Sequence, residues 1–334
     1  MPKVLLTGGA GYIGSHTYVA LLEAGFEVVM VDDFSNAKRS VLQRLCQITG
    51  QNAVECYEGS VLDSALLARI FEEHEIDAVV HFAARKAVGE SMDMPLEYLE
   101  TNCTGLLTLM KAMREAQVWR LVFSSSATVY GDPKEVPTPE TAPRRAMNPY
   151  GATKIMGEMV LEQAKAGPDP WKFGVLRYFN PVGAHPSALI GEDPTDIPNN
   201  LMPYIAKVAR GELPHLNVFG NDYTTPDGTG VRDYIHVMDL ARGHVLSLQA
   251  LLIGAGDHLV NLGTGRGYSV MEMLEAYERA CGQALPHVVT ARRPGDVPVY
   301  LAKVDAARDV LGFECEFDLD AMCTSSWAWV SRQG

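Results

Sequence analysis

Basic residues are scarce in this sequence. Its 334 residues carry 28 Lys and Arg against 41 Asp and Glu, a formal net charge of −13. Sequence-independent binding to nucleic acid needs a cationic surface that displaces counterions from phosphates, so this balance argues against it. It also makes each arginine near a candidate anion site informative. No apolar run approaches the ~20 residues that span a bilayer, so no membrane partner is expected. The six cysteines, Cys46, Cys56, Cys103, Cys281, Cys315 and Cys323, show no Cys-x-x-Cys spacing and no nearby histidine pattern. They read as reduced thiols and not as a disulfide frame or zinc site, and no metal is expected. Met1 to Lys3 runs straight into Val4-Leu5-Leu6 without a charged-then-apolar leader. A soluble, cytoplasmic protein is therefore expected. Internal repeats and low-complexity segments are also missing.

The composition is otherwise that of a globular enzyme, 47% hydrophobic and 21% charged. Short β-rich runs at Lys3 to Leu6, Glu27 to Val31, Ala53 to Tyr57, Ala78 to His81, Arg120 to Ser124 and Phe173 to Tyr178 alternate with helical patterns. Val79-Val80 and Leu121-Val122-Phe123 are continuously apolar, as strands covered on both faces are. The alternation predicts a Rossmann-type doubly wound parallel sheet of the α/β class, whose ligands bind beyond the carboxyl ends of the strands. Residues 180–232 are rich in Pro, Gly, Asn and Asp, with one helical segment around Pro203 to Arg210. Tyr234 to Val237 reads as a strand, Asp239 onward as a helix and Leu259 to Leu262 as a strand returning to the first domain. A further helix starts at Ser269, where Ser269 and Glu272 form a capping box, and stops at Gly282. Two interleaved lobes are expected: 1–179 with a returning segment 233–265, and 180–232 with 266–334 as a smaller α/β lobe.

Thr7-Gly8-Gly9-Ala10-Gly11-Tyr12-Ile13-Gly14 follows the first strand and opens a helix. Gly9, Gly11 and Gly14 fit the G-x-G-x-x-G dinucleotide fingerprint, and Gly8, Gly11 and Gly14 its wider-spaced variant. Such glycines let backbone N–H groups approach a pyrophosphate at a helix N-terminus. Asp32, with Asp33 beside it, ends the second strand. A carboxylate there accepts hydrogen bonds from ribose hydroxyls and repels a 2′-phosphate, which favours NAD over NADP. Lys38 and Arg39 are the nearby cations that would argue otherwise, and their plain reading is a solvated helix start.

Tyr-x-x-x-Lys occurs twice. Tyr130 to Lys134 contains Gly131 and Pro133 and reads as a loop. Tyr150 to Lys154 follows Asn148, which suits an N-cap, and Pro149, which suits the first helical position, so the pair shares one helix face. A free tyrosine titrates near ~10, too high for a base at neutral pH. A lysine ammonium, a cationic nicotinamide and the helix N-terminus would each favour the phenolate. Ser124-Ser125-Ser126 lies at the ligand-facing end of its strand and offers a hydroxyl to complete the set, with the choice among the three open on these grounds.

Together these residues resemble the extended short-chain dehydrogenase/reductase superfamily and, within it, the UDP-glucose 4-epimerase family. The likeness covers essentially the whole chain. It rests on Thr7 to His16, Lys86 to Ser91, Ser124 to Gly131, Arg177 to Pro186, Ile197 to Tyr204 and Gly230 to Val237, the last two being the most specific. The resemblance implies Ser126, Tyr150 and Lys154 as catalytic residues. It implies NAD contacts from Gly8, Gly11, Tyr12, Ile13, Gly14, Asp32, Asp33, Ser60, Val61, Phe82, Ala83, Ala84, Lys86, Asn102, Tyr150, Lys154 and Phe179. For a UDP-sugar it implies Lys86, Ser126, Tyr150, Asn180, Asn200, Leu201, Asn217, Val218, Phe219, Arg232, Arg293, Asp296 and Tyr300. Two departures stand out: Ser60 replaces a usual aspartate near the adenine, and Ala84-Arg85 a usual Gly-Leu.

The implied activity is reversible interconversion of UDP-glucose and UDP-galactose through a 4-keto sugar, with tightly bound NAD and a homodimeric assembly. The alternative is another nucleotide-sugar enzyme of the superfamily, such as a UDP-pentose or UDP-N-acetylhexosamine 4-epimerase. A bulky residue at Tyr300 favours the sugars without N-acetyl groups. A 4,6-dehydratase would place acidic residues after the catalytic serine, where Ala127-Thr128-Val129 stand. A cofactor-sensing protein without catalysis would have no need of Ser126, Tyr150 and Lys154.

Overall fold

A computed structural model describes residues 1–193, 198, 200–293 and 295–333. Seven parallel strands form its main sheet: β1 (Lys3–Thr7), β2 (Glu27–Asp32), β3 (Cys56–Glu58), β4 (Ala78–His81), β5 (Arg120–Ser126), β6 (Lys172–Tyr178) and, late in the chain, a strand at His258–Leu262. The order is β3-β2-β1-β4-β5-β6 followed by His258–Leu262. The direction of winding reverses between β1 and β4, the switch point beyond which a doubly wound sheet binds its ligand. The Rossmann-type α/β fold read from the sequence is therefore present.

Apolar side chains cover both faces of this sheet. On one face, helices α1 (Tyr12–Glu23) and α2 (Ser40–Thr49) and the later helices Val237–Leu252 and Asp305–Leu311 pack Tyr18, Leu21, Leu45, Leu240, Leu248 and Leu311 around Val4, Leu6, Val80 and Val122. On the other face, α3 (Ser64–Glu73), Gly105–Glu115 and Pro149–Lys165 pack Leu67, Ile70, Leu109, Met113 and Leu161 around Leu5, Val79, Leu121 and Phe173. Burial of each such side chain contributes on the order of 2 kcal/mol, which is why the strands are apolar without alternation.

A second lobe follows β6. It contains β7 (Asn180–Val182), β8 (Leu216–Phe219) and β9 (Val231–His236), with shorter strands at Gly267–Ser269, His287–Thr290 and Val299–Tyr300. Helices Leu201–Ala209, Val270–Cys281 and Leu319–Ser331 enclose its core of Ile205, Val218, Tyr234, Met273, Tyr277 and Met322. Three local readings shift. β9 spans Val231–His236, longer at its start than read, and pairs with β7 and the strands Gly267–Ser269 and Val299–Tyr300 in the smaller sheet. The next helix starts at Val237 and not Asp239, because His236 caps it by accepting a hydrogen bond from Met238 N at 3.1 Å. β5 runs two residues further, to Ser126, in register with Tyr178. The capping box at Ser269 and the stop at Gly282 are as read.

The helix Pro149–Lys165 is joined to β6 by a buried ion pair. Arg177 donates from Nε to Glu158 Oε1 at 2.8 Å and from Nη2 to Glu158 Oε2 at 2.6 Å. Ser125 and Arg144 also donate to Glu158, and Arg177 Nη1 donates to Tyr130 Oη and Glu140 O. Burial pushes the Glu158 carboxyl up, but the hydrogen bonds and charge of Arg177 hold it below the usual carboxylate range. Burial likewise opposes the Arg177 charge, and Glu158 more than restores it.

Five imidazoles among the described residues, His16, His81, His236, His244 and His258, are buried, which favours their neutral form. Burial pushes His16 and His81 down to about 3, and His236 and His244 down to about 4. An unfolded imidazole protonates near ~6.5, so between that value and the folded ones the unfolded chain binds more protons. Stability therefore rises with pH across this window. Asp32, Asp233 and Asp239, which burial holds above the usual range, act in the opposite sense, limited by the backbone N–H donors each accepts. Urea denaturation should show stability increasing by roughly several kcal/mol between pH ~4 and ~6.5; a flat profile there would contradict neutral burial of these histidines.

Candidate active site

The glycine turn between β1 and α1 is built for close approach. Gly8 has φ 67° and lies under the segment after β4; a Cβ there would sit 2.7 Å from Ala83 N. A Cβ on Gly14 would come 2.2 Å from Gly8 O. Gly11 caps α1 without any side-chain hydrogen bond, and the first turn, with Tyr12, Ile13 and Gly14, holds no acidic residue. A helix N-terminus left in this state attracts an anion. Gly9 packs against Met30, so its role is steric fit to the sheet. Burial raises the Asp32 carboxyl, yet Oδ2 accepts Ala10 N at 2.9 Å and Oδ1 accepts Phe34 N at 2.8 Å, which fixes it at the end of β2. Asp33 accepts from Ser35 N. The two cations that could have recruited a 2′-phosphate are engaged elsewhere: Arg39 pairs with Glu58 and Lys38 with Asp193. Residues of this cradle fit an NAD-type dinucleotide.

The surrounding predicted contacts divide by role. Ser60 Oγ accepts Leu62 N at 3.2 Å, a turn-capping bond that an aspartate would also make. Val61 is buried beneath Gly105. Phe82 packs at a tilt against His244, and Ala83 N donates to Thr7 Oγ1. Asn102 lies in a π-helical turn at Glu100–Thr104, a type of irregularity frequent at functional sites. Its amide clasps Arg85 N and O at 2.8 and 3.0 Å and donates to Thr153 Oγ1 at 2.9 Å. Because that clasp is to backbone, the Ala84-Arg85 departure leaves it intact. Lys86 lies over the Tyr12 ring and 3.6 Å from Glu192.

The three serines of β5 separate cleanly. Ser124 O accepts Lys154 Nζ at 2.8 Å, and Ser125 Oγ donates to Glu158 at 2.6 Å. Ser126 is the one whose hydroxyl lies close enough to the Tyr150 phenol to favour its phenolate. The helix that carries Tyr150 begins as read, with Asn148 Oδ1 accepting Gly151 N at 2.8 Å and Pro149 at N1. The second Tyr-x-x-x-Lys sequence is structural at its tyrosine, since Tyr130 Oη donates to buried Asn261 Oδ1 at 2.6 Å. Burial pushes the Tyr150 phenol up, opposed by the nearby Ser126 hydroxyl, and pushes the Lys154 ammonium down to about 8. Tyr150 thus favours its protonated form in this environment, and a further positive charge is needed to make it a base.

The second lobe faces this site. Tyr300 donates to Ala127 O, directly after Ser126, and its ring lies 5.3 Å from Phe179. Tyr300 and Arg232 are register partners. Arg232 donates to Val231 O and Val297 O and lies 3.5 Å from Asp296, while Arg293 stacks on Phe219 at 3.8 Å. Asn180 is in β7. Asn200, at the N-cap of Leu201–Ala209, donates to Glu192 at 3.2 Å. Leu201 packs partly buried against the lobe's core, and Asn217 donates to Tyr204 Oη. The Val218 side chain is fully buried, so only its backbone is available to a ligand. In the motif Ile197 to Tyr204, Ile197 and Asn199 lie outside the described residues.

Sequence reasoning missed several supporting groups. Thr128 donates to Ser126 Oγ at 3.0 Å, and Thr153 donates to Tyr150 O while receiving Asn102. Glu192 joins Lys86 to Asn200. Of these only Thr128 carried a local signal, being two residues from the serine.

A family model described as GDP-mannose 4,6 dehydratase matches residues 5–326. A UDP-glucose 4-epimerase of Bacillus subtilis (strain 168) is 52% identical over 328 residues, spanning 98% of this chain and 96% of that protein. A UDP-glucose 4-epimerase from Stenotrophomonas maltophila, solved with bound NAD and formylated UDP-arabinopyranose, superposes with a TM-score of 0.97 at 49% identity, covering 100% of this chain and 99% of the other. The UDP-glucose 4-epimerase from Bifidobacterium longum, solved with NAD+ and UDP, gives 0.93 at 48% identity, covering 99% and 98%. A Rossmann sheet with a Ser-Tyr-Lys set and an arginine-bearing second lobe is the mark of the extended short-chain dehydrogenase/reductases. Within that class, the chain belongs to the UDP-glucose 4-epimerase family.

The position of Asp32 carries a test. Asp32→Ala should narrow discrimination between NAD and NADP by about tenfold or more, since it removes the repulsion of a 2′-phosphate. Unchanged discrimination in fluorescence titrations of the two dinucleotides would separate Asp32 from the ribose.

Proposed function

We propose that this chain interconverts UDP-galactose and UDP-glucose by reversible inversion at the sugar's fourth carbon, with NAD held in the first lobe. The observation that carries this reading is the meeting of Ser126, Tyr150 and Lys154 at the carboxyl end of β5, with Tyr300 closing the second lobe onto Ala127. Gly8, Gly11, Gly14 and Asp32 would hold the dinucleotide, and the cofactor, when bound, supplies a reversible acceptor for the hydrogen on that carbon.

The chain's own residues handle the proton. Tyr150 takes it from the 4-hydroxyl and Ser126, close to the phenol, bridges to the sugar oxygen. Lys154, anchored on Ser124 O at the same strand end, contributes positive charge that favours the phenolate. Tyr150 then returns the proton to the inverted sugar, so the reaction has no net proton or redox change. Arg232 and Arg293 are suited to clamp the diphosphate, which leaves the hexose free to turn over while its UDP stays in place. Tyr300, packed on Phe179, limits the space at the sugar and favours UDP-hexoses over N-acetylated ones.

A homodimer in the cytoplasm completes the reading. Exposed Val88, Met92, Leu96, Leu107, Met156 and Met159 come from the neighbouring helices Val88–Asp93, Pro95–Leu99, Gly105–Glu115 and Pro149–Lys165, an apolar surface suited to a second copy. All six cysteines are free, as in a reducing compartment. No helix among the described residues is long and apolar enough to cross a membrane.

Purified protein supplied with NAD+ should convert UDP-galactose to UDP-glucose without accumulating NADH; no interconversion would end the assignment. Tyr150→Phe should lower turnover by about 100-fold or more while leaving fold and dinucleotide binding in place. Wild-type turnover in that variant would remove Tyr150 from proton transfer.

A further inference from the structure

Glu192 is a carboxylate set beside Lys86 and Asn200, two groups of the proposed nucleotide site. Its side chain is 15% exposed and lies 3.6 Å from Lys86 Nζ. Its Oε1 accepts Asn200 Nδ2 at 3.2 Å. It is also close enough to raise the Tyr12 phenol, behind the larger effect of burial, and Tyr12 opens the anion-binding turn of α1. The backbone holding it is firm: Trp329 Nε1 donates to Glu192 O at 3.2 Å, and Gly191 lies so tightly under the indole that a Cβ would approach to 2.5 Å. Glu192 therefore brings a negative charge from the second lobe onto a cation of the first.

A mostly buried carboxylate in the proposed anion site has two effects. It satisfies Lys86 and Asn200 while no ligand is present, and it both repels and competes with phosphates that arrive. An epimerase needs its nucleotide anchor strong enough to hold UDP through the turn of the sugar, yet weak enough to release product.

We propose that Glu192 is a positioning residue that holds Lys86 and Asn200 in the free protein and yields them to the diphosphate of the sugar nucleotide, thereby setting the strength of the UDP anchor. This rests on the sugar-nucleotide reading of the site given above. Exchange of carboxylate for phosphate breaks one ion pair as another forms, so its cost depends on salt.

The test is calorimetric titration of UDP into cofactor-loaded wild-type, Glu192→Gln and Glu192→Asp protein at low and high salt, with KM and kcat for UDP-galactose. Glu192→Gln should bind UDP about three- to tenfold more tightly at low salt, with a smaller gain at high salt. KM should fall by a similar factor and kcat should not rise. Glu192→Asp keeps the charge and should stay near wild type. In a Lys86→Met background the gain should largely vanish, since the contested cation is gone. Glu192→Gln binding UDP no more tightly than wild type, with an unchanged melting temperature, would overturn the proposal. Failure of wild-type protein to bind UDP at all would instead overturn the sugar-nucleotide reading, and this inference with it.

Discussion

The Glu158–Arg177 ion pair is the constraint on which the active-site geometry depends. Glu158 stands one turn beyond Lys154 on the same helix, and Arg177 stands opposite Ser125 in the β5–β6 register. Their two hydrogen bonds lock the helix that carries Tyr150 onto the strand pair that carries Ser126. Burying two charges is favourable only when their remaining polar atoms are also satisfied. Here Ser125, Arg144, Tyr130 and Glu140 O do so. Removing one partner would leave a buried charge uncompensated, a loss of roughly 3–5 kcal/mol, and would free the catalytic helix to shift.

This frame explains why so polar a reaction centre can be so dry. Tyr150 and Lys154 are both buried, which raises the phenol and lowers the ammonium, each toward its neutral form. Such a site is inert until further positive charge arrives, and its low polarity then makes that charge effective. The reaction asks for a proton to be taken and put back in one place. Tyr150, buried close to Ser126, can take the proton and return it in place.

Much of the first lobe was legible because its signals are local. The glycine turn, Asp32 at the end of β2, and Asn148-Pro149 before Tyr150 each declare a backbone geometry within a few residues. The choice among Ser124, Ser125 and Ser126 was not legible from spacing, because it depends on partners over 20 residues away: Lys154, Glu158 and Tyr150. The family likeness implies Ser126, and the partners that engage Ser124 and Ser125 give the physical reason. The second lobe read less clearly. Its strands are short, such as Val299–Tyr300, and pair across long separations, so neither periodicity nor turn residues mark them. The apolar run Tyr234-Ile235 marks β9 as a strand but does not say which sheet it joins. Glu192 had no sequence signal at all, since its meaning lies in Lys86, more than 100 residues earlier.

The central claim is that hydrogen leaves and returns to the same sugar carbon within one closed site, while Tyr150 shuttles the hydroxyl proton. UDP-galactose carrying deuterium on its fourth carbon tests this most directly, with the UDP-glucose product read by mass spectrometry and NMR. The account predicts essentially complete retention of deuterium at the fourth carbon. Loss of that label to water, or its appearance at another carbon, would contradict it.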